Sequence, residues 1–178
     1  MKTYLFTSER LGFRNWIEQD KPKMHIINSD PQVMEFFPAI PNETQTDAFV
    51  DRMKVLFSRR GFCYFAVDRL DNKAFIGFIG IAEKNFEADF TPCIDIGWRL
   101  DKNEWGKGYA SEGAKKCLEY AFEKMALKNI KSICPVSNKK SEKVMNKIGM
   151  KKVKDFKHPL LTEYKELEVC VLYEIERS

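Results

Sequence analysis

A short glycine-rich segment in the second half of the chain has residue types that can bind an anion. Residues 105–112 read Trp-Gly-Lys-Gly-Tyr-Ala-Ser-Glu, and an amphipathic helix begins at about Tyr109. Glycines let the backbone turn tightly and approach a ligand closely. The first amides of a helix lack backbone partners and lie at the positive end of its dipole, which favours a phosphate or pyrophosphate. The segment therefore predicts an anion-binding turn between a strand and a helix.

Familiar nucleotide-binding motifs do not fit this segment. The P-loop pattern GxxxxGK[ST] is absent from the sequence. Gly106-x-Gly108-x-x-Ser111 resembles the dinucleotide fingerprint GxGxxG, but a serine replaces its last glycine and it lies past the middle of the chain. A protein kinase would need a separate catalytic-loop motif, which the sequence lacks. The glycines alone leave open a ligand site and a purely structural turn.

The cysteines and histidines form neither a metal-binding pattern nor a disulfide pattern. The five cysteines are widely spaced within apolar segments, no CxxC pair occurs, and neither histidine lies near a cysteine in sequence. We therefore expect no metal site and no disulfide framework, and we predict small buried core thiols. The residues concerned are Cys63, Cys93, Cys117, Cys134, Cys170, His25 and His158.

The hydrophobic pattern predicts a mixed α/β chain. Helices are predicted over residues 20–28, 43–60, 109–126 and 139–148. Strands are predicted over residues 10–16, 62–67, 74–82, 93–100, 131–136, 150–156 and 167–175. Three strands follow two helices directly, which is not a repeating βαβ pattern and argues against a doubly wound parallel sheet.

Length and composition predict one soluble domain. The chain has 178 residues, of which 44% are hydrophobic and 31% charged, and domains average roughly 150 residues. No apolar run approaches the roughly 18 residues that span a bilayer, and residues 1–4 do not open a signal peptide. We therefore expect a cytoplasmic protein with no membrane partner. The net charge is +4, and lysines crowd residues 139–154, so we expect that stretch to face something negative.

Five segments, in order, carry a family resemblance. Residues 105–110 resemble the acyl-CoA loop [Q/R]xxGx[G/A] of the GNAT superfamily of N-acetyltransferases, with Gly108 and Ala110 at the last two positions. Trp105 replaces the Gln/Arg position, as in the branch that contains the ribosomal-protein-alanine acetyltransferases RimJ and RimL. The other segments that resemble this branch are residues 7–16, 29–38, 90–100 and 138–150, with a tail at residues 155–159 and 171–173. The resemblance implies one acetyltransferase domain over residues 1–178.

The resemblance also implies a fold and a cofactor. The fold is α+β, with a splayed mixed central sheet of about seven strands flanked by about four helices. The parting strands would be residues 94–100 and 131–136, with Gly97 at a strand bulge. Acetyl-CoA would be the acyl donor, without a metal, and its pantetheine arm would lie between those strands.

By the same resemblance, individual residues acquire roles. The backbone of Trp98, Arg99 and Leu100 would pair with pantetheine, and Asn138, also a candidate N-cap, would hydrogen-bond CoA. The loop amides that would hold the pyrophosphate are those of Gly106, Lys107, Gly108, Tyr109, Ala110 and Ser111, and Trp105 is the first residue of this cofactor-binding loop.

Two residues are candidates for catalysis. Met145 occupies the position where many relatives have a general-acid tyrosine, so Ser141 is expected to hold the departing thiolate. Asp95, two residues before Gly97, is the candidate base, acting through water. Further candidates for the base are Glu35, Glu83 and Glu87.

The resulting hypothesis is an N-acetyltransferase in which an amine attacks acetyl-CoA directly within a ternary complex. A protein N-terminus and a small-molecule amine are both open as acceptors. Residues 26–41 and 83–92, with Phe36, Phe37, Phe86 and Phe90, are expected to form the acceptor cleft or core. The alternatives are a non-catalytic acyl-CoA-binding regulator and a basic ribosome- or RNA-associated module, although no nucleic acid partner is expected. A homodimer that pairs exposed strands near the C-terminus is also left open.

Overall fold

One eight-stranded mixed sheet organises the chain. The computed structural model describes residues 3–177. The strands are β1 (Phe6–Thr7), β2 (Leu11–Arg14), β3 (Tyr64–Arg69), β4 (Phe75–Lys84), β5 (Cys93–Leu100), β6 (Asn129–Pro135), β7 (Lys151–Lys157) and β8 (Val169–Glu176). Their order across the sheet is β1-β2-β3-β4-β5-β6-β8-β7, and only the β5–β6 pair is parallel. This confirms the predicted α+β class, with one short strand, β1, more than expected.

Four α-helices cover the sheet. They are α1 (Asp20–Asn28), α2 (Glu43–Arg60), α3 (Tyr109–Lys124) and α4 (Lys139–Lys147). Asn42 and Gln45 form a capping box at the start of α2, and Gly61 ends it in the left-handed conformation at φ 75°. Short 3₁₀ turns occur at Lys102–Glu104 and Pro159–Leu161.

Helices α2 and α3 pack on opposite faces of the sheet. Phe78 on β4 contacts the ring of Phe49 from α2, with ring centroids 5.3 Å apart. The neighbouring Ile79 approaches Gly113 and Cys117 of α3. Successive strand residues point to opposite faces, so the core has two layers, one on each side of β4.

The sheet splits between β5 and β6. Eight residue pairs join β4 to β5, whereas the described part of the chain has one registered pair between β5 and β6, Asp95 with Lys131. The Ser132 hydroxyl donates to the Ile96 carbonyl at 2.9 Å next to that pair. The end of β5 beyond Ile96 therefore diverges from β6, as the resemblance implied.

The expected bulge at Gly97 is absent from the β4–β5 ladder. Register continues through Gly97, opposite Gly80. Gly97 instead leaves room for the Tyr64 ring, since a Cβ built on it would lie 3.3 Å from that ring. The expectation was wrong because the glycine serves a neighbouring side chain rather than a backbone distortion.

A buried ion cluster ties three elements together. The Arg14 guanidinium on β2 donates to Asp20 of α1 at 2.6 and 2.8 Å and to Asp68 of β3 at 2.8 Å. All three residues are at most 3% exposed. Removing the arginine would take away the guanidinium that both buried carboxylates bind, so the cluster holds α1, β2 and β3 together.

The cysteines lie mostly in the core as reduced thiols. All five cysteines are free thiols; four are buried and Cys93 is half-buried. This confirms buried thiols at every cysteine except Cys93, which lies at the start of β5. In residues 3–177, no helix has the length and apolarity needed to cross a membrane.

Candidate active site

A cleft of about 530 Å³ opens where β5 diverges from β6. Its walls come from the end of β5, the glycine-rich loop, the first turns of α3 and α4, and the segment before α2. The lining residues are Gln32, Val33, Phe36, Phe37, Trp98, Arg99, Leu100, Glu104, Trp105, Gly106, Gly108, Tyr109, Ala110, Ser111, Asn138, Lys140, Ser141, Lys143, Val144 and Lys147.

The glycine-rich loop forms one end of this cleft. Gly106 and Gly108 have φ values of 76° and 84°, in the left-handed region that favours glycine. Gly108 is the N-cap of α3, and no side chain caps the helix. A Cβ on Gly106 would meet no atom within 4 Å. The loop thus presents open backbone and the positive end of a helix to the cleft.

Polar contacts hold the start of α3 in place. The Glu112 carboxylate accepts from the Ser8 hydroxyl at 2.7 Å and from the Arg10 amide at 2.9 Å. The Arg10 guanidinium also binds Glu112 at 2.7 Å and lies 4.5 Å from the centre of the Tyr109 ring. These contacts fix the loop relative to β2.

The start of α4 forms the facing wall. The Asn138 side chain accepts from the Ser141 amide at 3.0 Å, so it is the N-cap of α4 as well as a lining residue. Lys140 crosses towards the loop, with its ammonium 4.6 Å from the centre of the Trp105 ring. Trp105 is itself oriented by donating from Nε1 to the Leu100 carbonyl at 3.0 Å.

The cleft is electropositive. Arg99, Lys140, Lys143 and Lys147 line it, whereas its acidic lining residue, Glu104, binds Arg69 at 3.4 Å and Lys107 at 2.9 Å. Three lysines of the lysine-rich stretch therefore lie at the cleft, and a negative group facing that stretch stays a prediction. Other lysines of that stretch pair with carboxylates: Lys139 with Glu142, Lys152 with Asp155 and Lys154 with Asp89.

Asp95 lies in β5 and is 5% exposed. The Tyr64 hydroxyl donates to its carboxylate at 2.6 Å. Burial raises the pKa of Asp95 to about 6, although the Lys84 charge and two hydrogen bonds, from Tyr64 and the Ile133 amide, act in the opposite direction. The carboxylate is therefore mostly ionised at neutral pH, and it is more basic than the carboxylate of an exposed aspartate.

The structure gathers most of the predicted site residues. Ten of the eleven candidate cofactor-binding residues line the cleft, as does Ser141. Lys107 is not among the lining residues, and its ammonium pairs with Glu104 at 2.9 Å. Asp95 is absent from the lining and lies beside Tyr64.

The remaining candidates separate into two groups. Phe36 and Phe37 line the cleft, whereas Phe86 and Phe90 join a distinct cluster with Phe156 and His158. Among the alternative bases, Glu83 binds Arg60 at 2.9 Å. Glu35 and Glu87 are exposed and lie outside the lining.

Sequence reasoning missed Tyr64 as the partner of Asp95. The two residues are 31 positions apart and lie on strands separated by β4. Their contact depends on the register that places Tyr64 opposite Gly80 and Gly80 opposite Gly97. Gly97 was the available signal, since it leaves space for the Tyr64 ring, whereas Gly80 allows the backbone of β3 to approach closely.

Comparison with known proteins decides the family. A family model described as an acetyltransferase (GNAT) domain matches residues 10–151. The chain belongs to the GNAT acetyltransferase family. It is 34% identical over 152 residues to the uncharacterized N-acetyltransferase YnaD of Bacillus subtilis, covering 85% of each chain. The protein is thus an acetyltransferase, and N-acetyltransferase activity is the general function of its relatives.

Solved structures agree with the fold. A GNAT-family acetyltransferase from Bacillus anthracis superposes with a TM-score of 0.80 at 29% identity, with 96% of each chain covered. RimL, an α-N-protein acetyltransferase of ribosomal L7/L12 solved with coenzyme A, gives a TM-score of 0.77 at 16% identity, with 98% of each chain covered. That identity shows the fold alone, so membership of the RimJ/RimL branch stays a prediction.

Proposed function

We propose that this acetyltransferase moves the acetyl group of acetyl-CoA to a primary amine by direct attack in a ternary complex. The observation that carries the proposal is the cleft, which runs from an uncapped helix start with two left-handed glycines to the point where β5 leaves β6. Coenzyme A is bound by RimL and acetyl-CoA by the microcin C7 immunity acetyltransferase MccE, both of which share the fold.

The cofactor would lie along the cleft, from the glycine-rich loop to the point where β5 and β6 diverge. The amides of the loop, from Gly106 to Ser111, would bind the pyrophosphate, which is the natural ligand of a helix start. The lysines of α4 that line the cleft would add positive charge beside the phosphates. The edge of β5 at Trp98, Arg99 and Leu100, which diverges from β6, would pair with the amides of pantetheine.

Transfer needs a free amine and a stabilised leaving group. The amine nitrogen attacks the thioester carbonyl, a C–N bond forms, and the C–S bond breaks. The proton lost by nitrogen would pass through water to Asp95, whose raised pKa of about 6 suits a base at neutral pH. Ser141, at the cleft, would donate a hydrogen bond to the departing thiolate. The thiolate would then take a proton from water and leave as CoA thiol, while Asp95 returns the amine proton to solvent.

Two glycines allow a matched test of cofactor binding. Gly106 and Gly61 have nearly equal φ values, 76° and 75°, and a Cβ on either would meet no atom within 4 Å. Alanine at either position therefore carries a similar backbone cost of about 1–2 kcal/mol. Of these two glycines, only Gly106 lines the cleft.

We expect calorimetric titration to show one acetyl-CoA per wild-type chain. Gly106→Ala should weaken that affinity about tenfold or more, a loss of about 1.4 kcal/mol, while Gly61→Ala binds like wild type. Thiol release should then depend on added amine. Absence of acetyl-CoA binding, or equal affinities for the two variants, would overturn the proposal. Binding without amine-dependent thiol release would instead indicate a CoA-binding regulator.

A further inference from the structure

The Arg99 side chain is a cation in the cleft that the protein leaves without an anion. Its Nη1 donates to the side-chain oxygen of Asn28 at 2.8 Å. Among the described residues, no carboxylate lies within ion-pair distance of it, and its Nε is buried with no hydrogen-bond partner. Nη2 likewise has no hydrogen bond within residues 3–177. The edge formed by Nε and Nη2 is the one that binds a carboxylate with two parallel hydrogen bonds.

The surroundings hold this guanidinium in one orientation. Asn28 is 1% exposed, and its amide nitrogen donates to the Thr46 hydroxyl at 3.1 Å, which directs the amide oxygen towards Arg99. The rings of Phe37 and Phe78 lie 4.1 and 5.5 Å from the guanidinium carbon. Three elements, α1, α2 and β4, therefore position the side chain before any ligand arrives.

The contrast with Arg14 shows what is missing. Arg14 is equally well positioned, but two buried carboxylates neutralise it. Arg99 has a neutral amide as its partner, and burial lowers its pKa to about 10, which leaves it charged at neutral pH. A partly buried charge without a counter-charge is costly. Because Arg99 lies in a ligand cleft, the bound ligand is the natural source of the missing negative charge.

The position of Arg99 relative to Asp95 favours the acceptor as that ligand. Asp95, Gly97 and Arg99 alternate along β5 and so point to the same face of the sheet. The ring of Tyr64, which binds Asp95, stacks on Phe78 at 5.1 Å, and Phe78 adjoins Arg99. The candidate base and the unpaired cation thus lie on one face, on either side of Tyr64. Helix α3, whose first turn would hold the phosphates, packs on the opposite face of the sheet against Ile79.

We propose that Arg99 binds a carboxylate of the acceptor, so that the acceptor is a small amine carrying a carboxylate close to its amino group, as an amino acid does. This inference rests on the proposed function and names the acceptor class for the same site. Phe36 and Phe37, which line the cleft, supply an apolar wall beside the cation. The α-carboxyl of an N-terminal residue is tied up in a peptide bond, so a protein N-terminus offers Arg99 a nearby carboxylate only where its own side chain is acidic.

The test compares carboxylates with matched amides. The twenty amino acids and their amides are assayed by thiol release. Binding of N-acetylphenylalanine and of its amide to the CoA-loaded protein is measured by calorimetry. Because a charge-assisted hydrogen bond contributes strongly to binding, the carboxylate should bind about 10- to 150-fold more tightly than the amide. Arg99→Gln should abolish the preference, Arg99→Lys should retain part of it, and Arg59→Gln, an exposed change on α2, should leave it intact.

Different failures lead to different conclusions. Equal use of carboxylates and amides, or a preference for peptide N-termini, overturns the inference and leaves the proposed function standing. The same holds if Arg99→Gln weakens acetyl-CoA binding as much as it weakens carboxylate binding, since Arg99 would then serve the cofactor. Absence of acetyl-CoA binding in wild type overturns the proposed function. The same carboxylate and amide, titrated into the ligand-free protein and into Arg99→Gln, then test Arg99 by themselves. Thermal denaturation of each variant separates misfolding from lost recognition.

Discussion

The hydrogen bond from Tyr64 to Asp95 offers a sharp test of the proposed base. Tyr64→Phe removes the hydroxyl that donates to the carboxylate at 2.6 Å and keeps the ring that packs against Gly97 and Phe78. The hydrogen bond stabilises the ionised form of Asp95, so its loss must raise the pKa of that carboxyl above its value of about 6.

The size of the effect follows from the kind of bond. A hydrogen bond to a charged group contributes about 1.5–3 kcal/mol, and one pKa unit corresponds to about 1.36 kcal/mol. The acidic limb of kcat/KM should therefore move upward by about one to two pH units. At about pH 6.5 the variant should be about 3- to 25-fold slower than wild type, and at about pH 9 the two should converge.

The assay is thiol release at limiting amine between about pH 5.5 and 9. The ratio of variant to wild type is plotted, because ionisation of the acceptor amine affects both enzymes equally. Tyr164→Phe, at an exposed position, serves as the control and should show no pH-dependent ratio. A carbon-13 titration of the aspartate carboxyls should report the same shift without turnover.

Two results would refute this reasoning. A ratio that stays constant across the pH range would mean that Asp95 does not carry the proton in the rate-limiting step. Unchanged turnover in Asp95→Asn would remove it as the base altogether. The remaining candidates for the base would then be Glu35, Glu83 and Glu87.

Two further predictions concern stability and cofactor charge. Arg14→Leu removes the guanidinium that two buried carboxylates share, which should cost about 3–5 kcal/mol and lower the Tm by about 6–20 °C in calorimetry. Arg59→Leu, exposed on α2, should change the Tm little, and equal effects of the two variants would contradict the structural role of the cluster. Lys140→Gln should raise the KM for acetyl-CoA about two- to fivefold at low salt and less at high salt. Lys115→Gln, exposed on α3, should not, and a salt-independent effect would argue against a charge contribution from Lys140.

Local sequence signals gave the elements with good accuracy. The predicted bounds of α1, α2 and β5 coincide with those of the structure, and α3 and α4 differ at their ends by at most two residues. Helix periodicity, the Asn42 cap and the Gly61 stop act within a few residues of one another, so they can be interpreted without the fold. The strand β1 was missed because two residues are too few to show an alternating pattern.

In the candidate site too, local features were predictable from the sequence and long-range contacts were not. The loop from Trp105 to Ser111 and the cap residue Asn138 were identifiable because each is one continuous stretch whose residue types already determine its backbone geometry. The partners of the charged residues were not. Tyr64 reaches Asp95 across β4, and Asn28 reaches Arg99 from a helix 71 positions away in sequence.

The amino-acid sequence by itself therefore determined the helices, most strands, the glycine-rich loop and the family resemblance, since each rests on contacts between near neighbours or on a continuous motif. The tertiary structure alone decided which charges are neutralised and which are left for a ligand. Arg14 and Arg99 are both strand arginines in apolar surroundings, and no local pattern distinguishes them. Strand register and helix docking give two carboxylates to Arg14 and a single amide to Arg99, because those contacts join segments far apart in the chain.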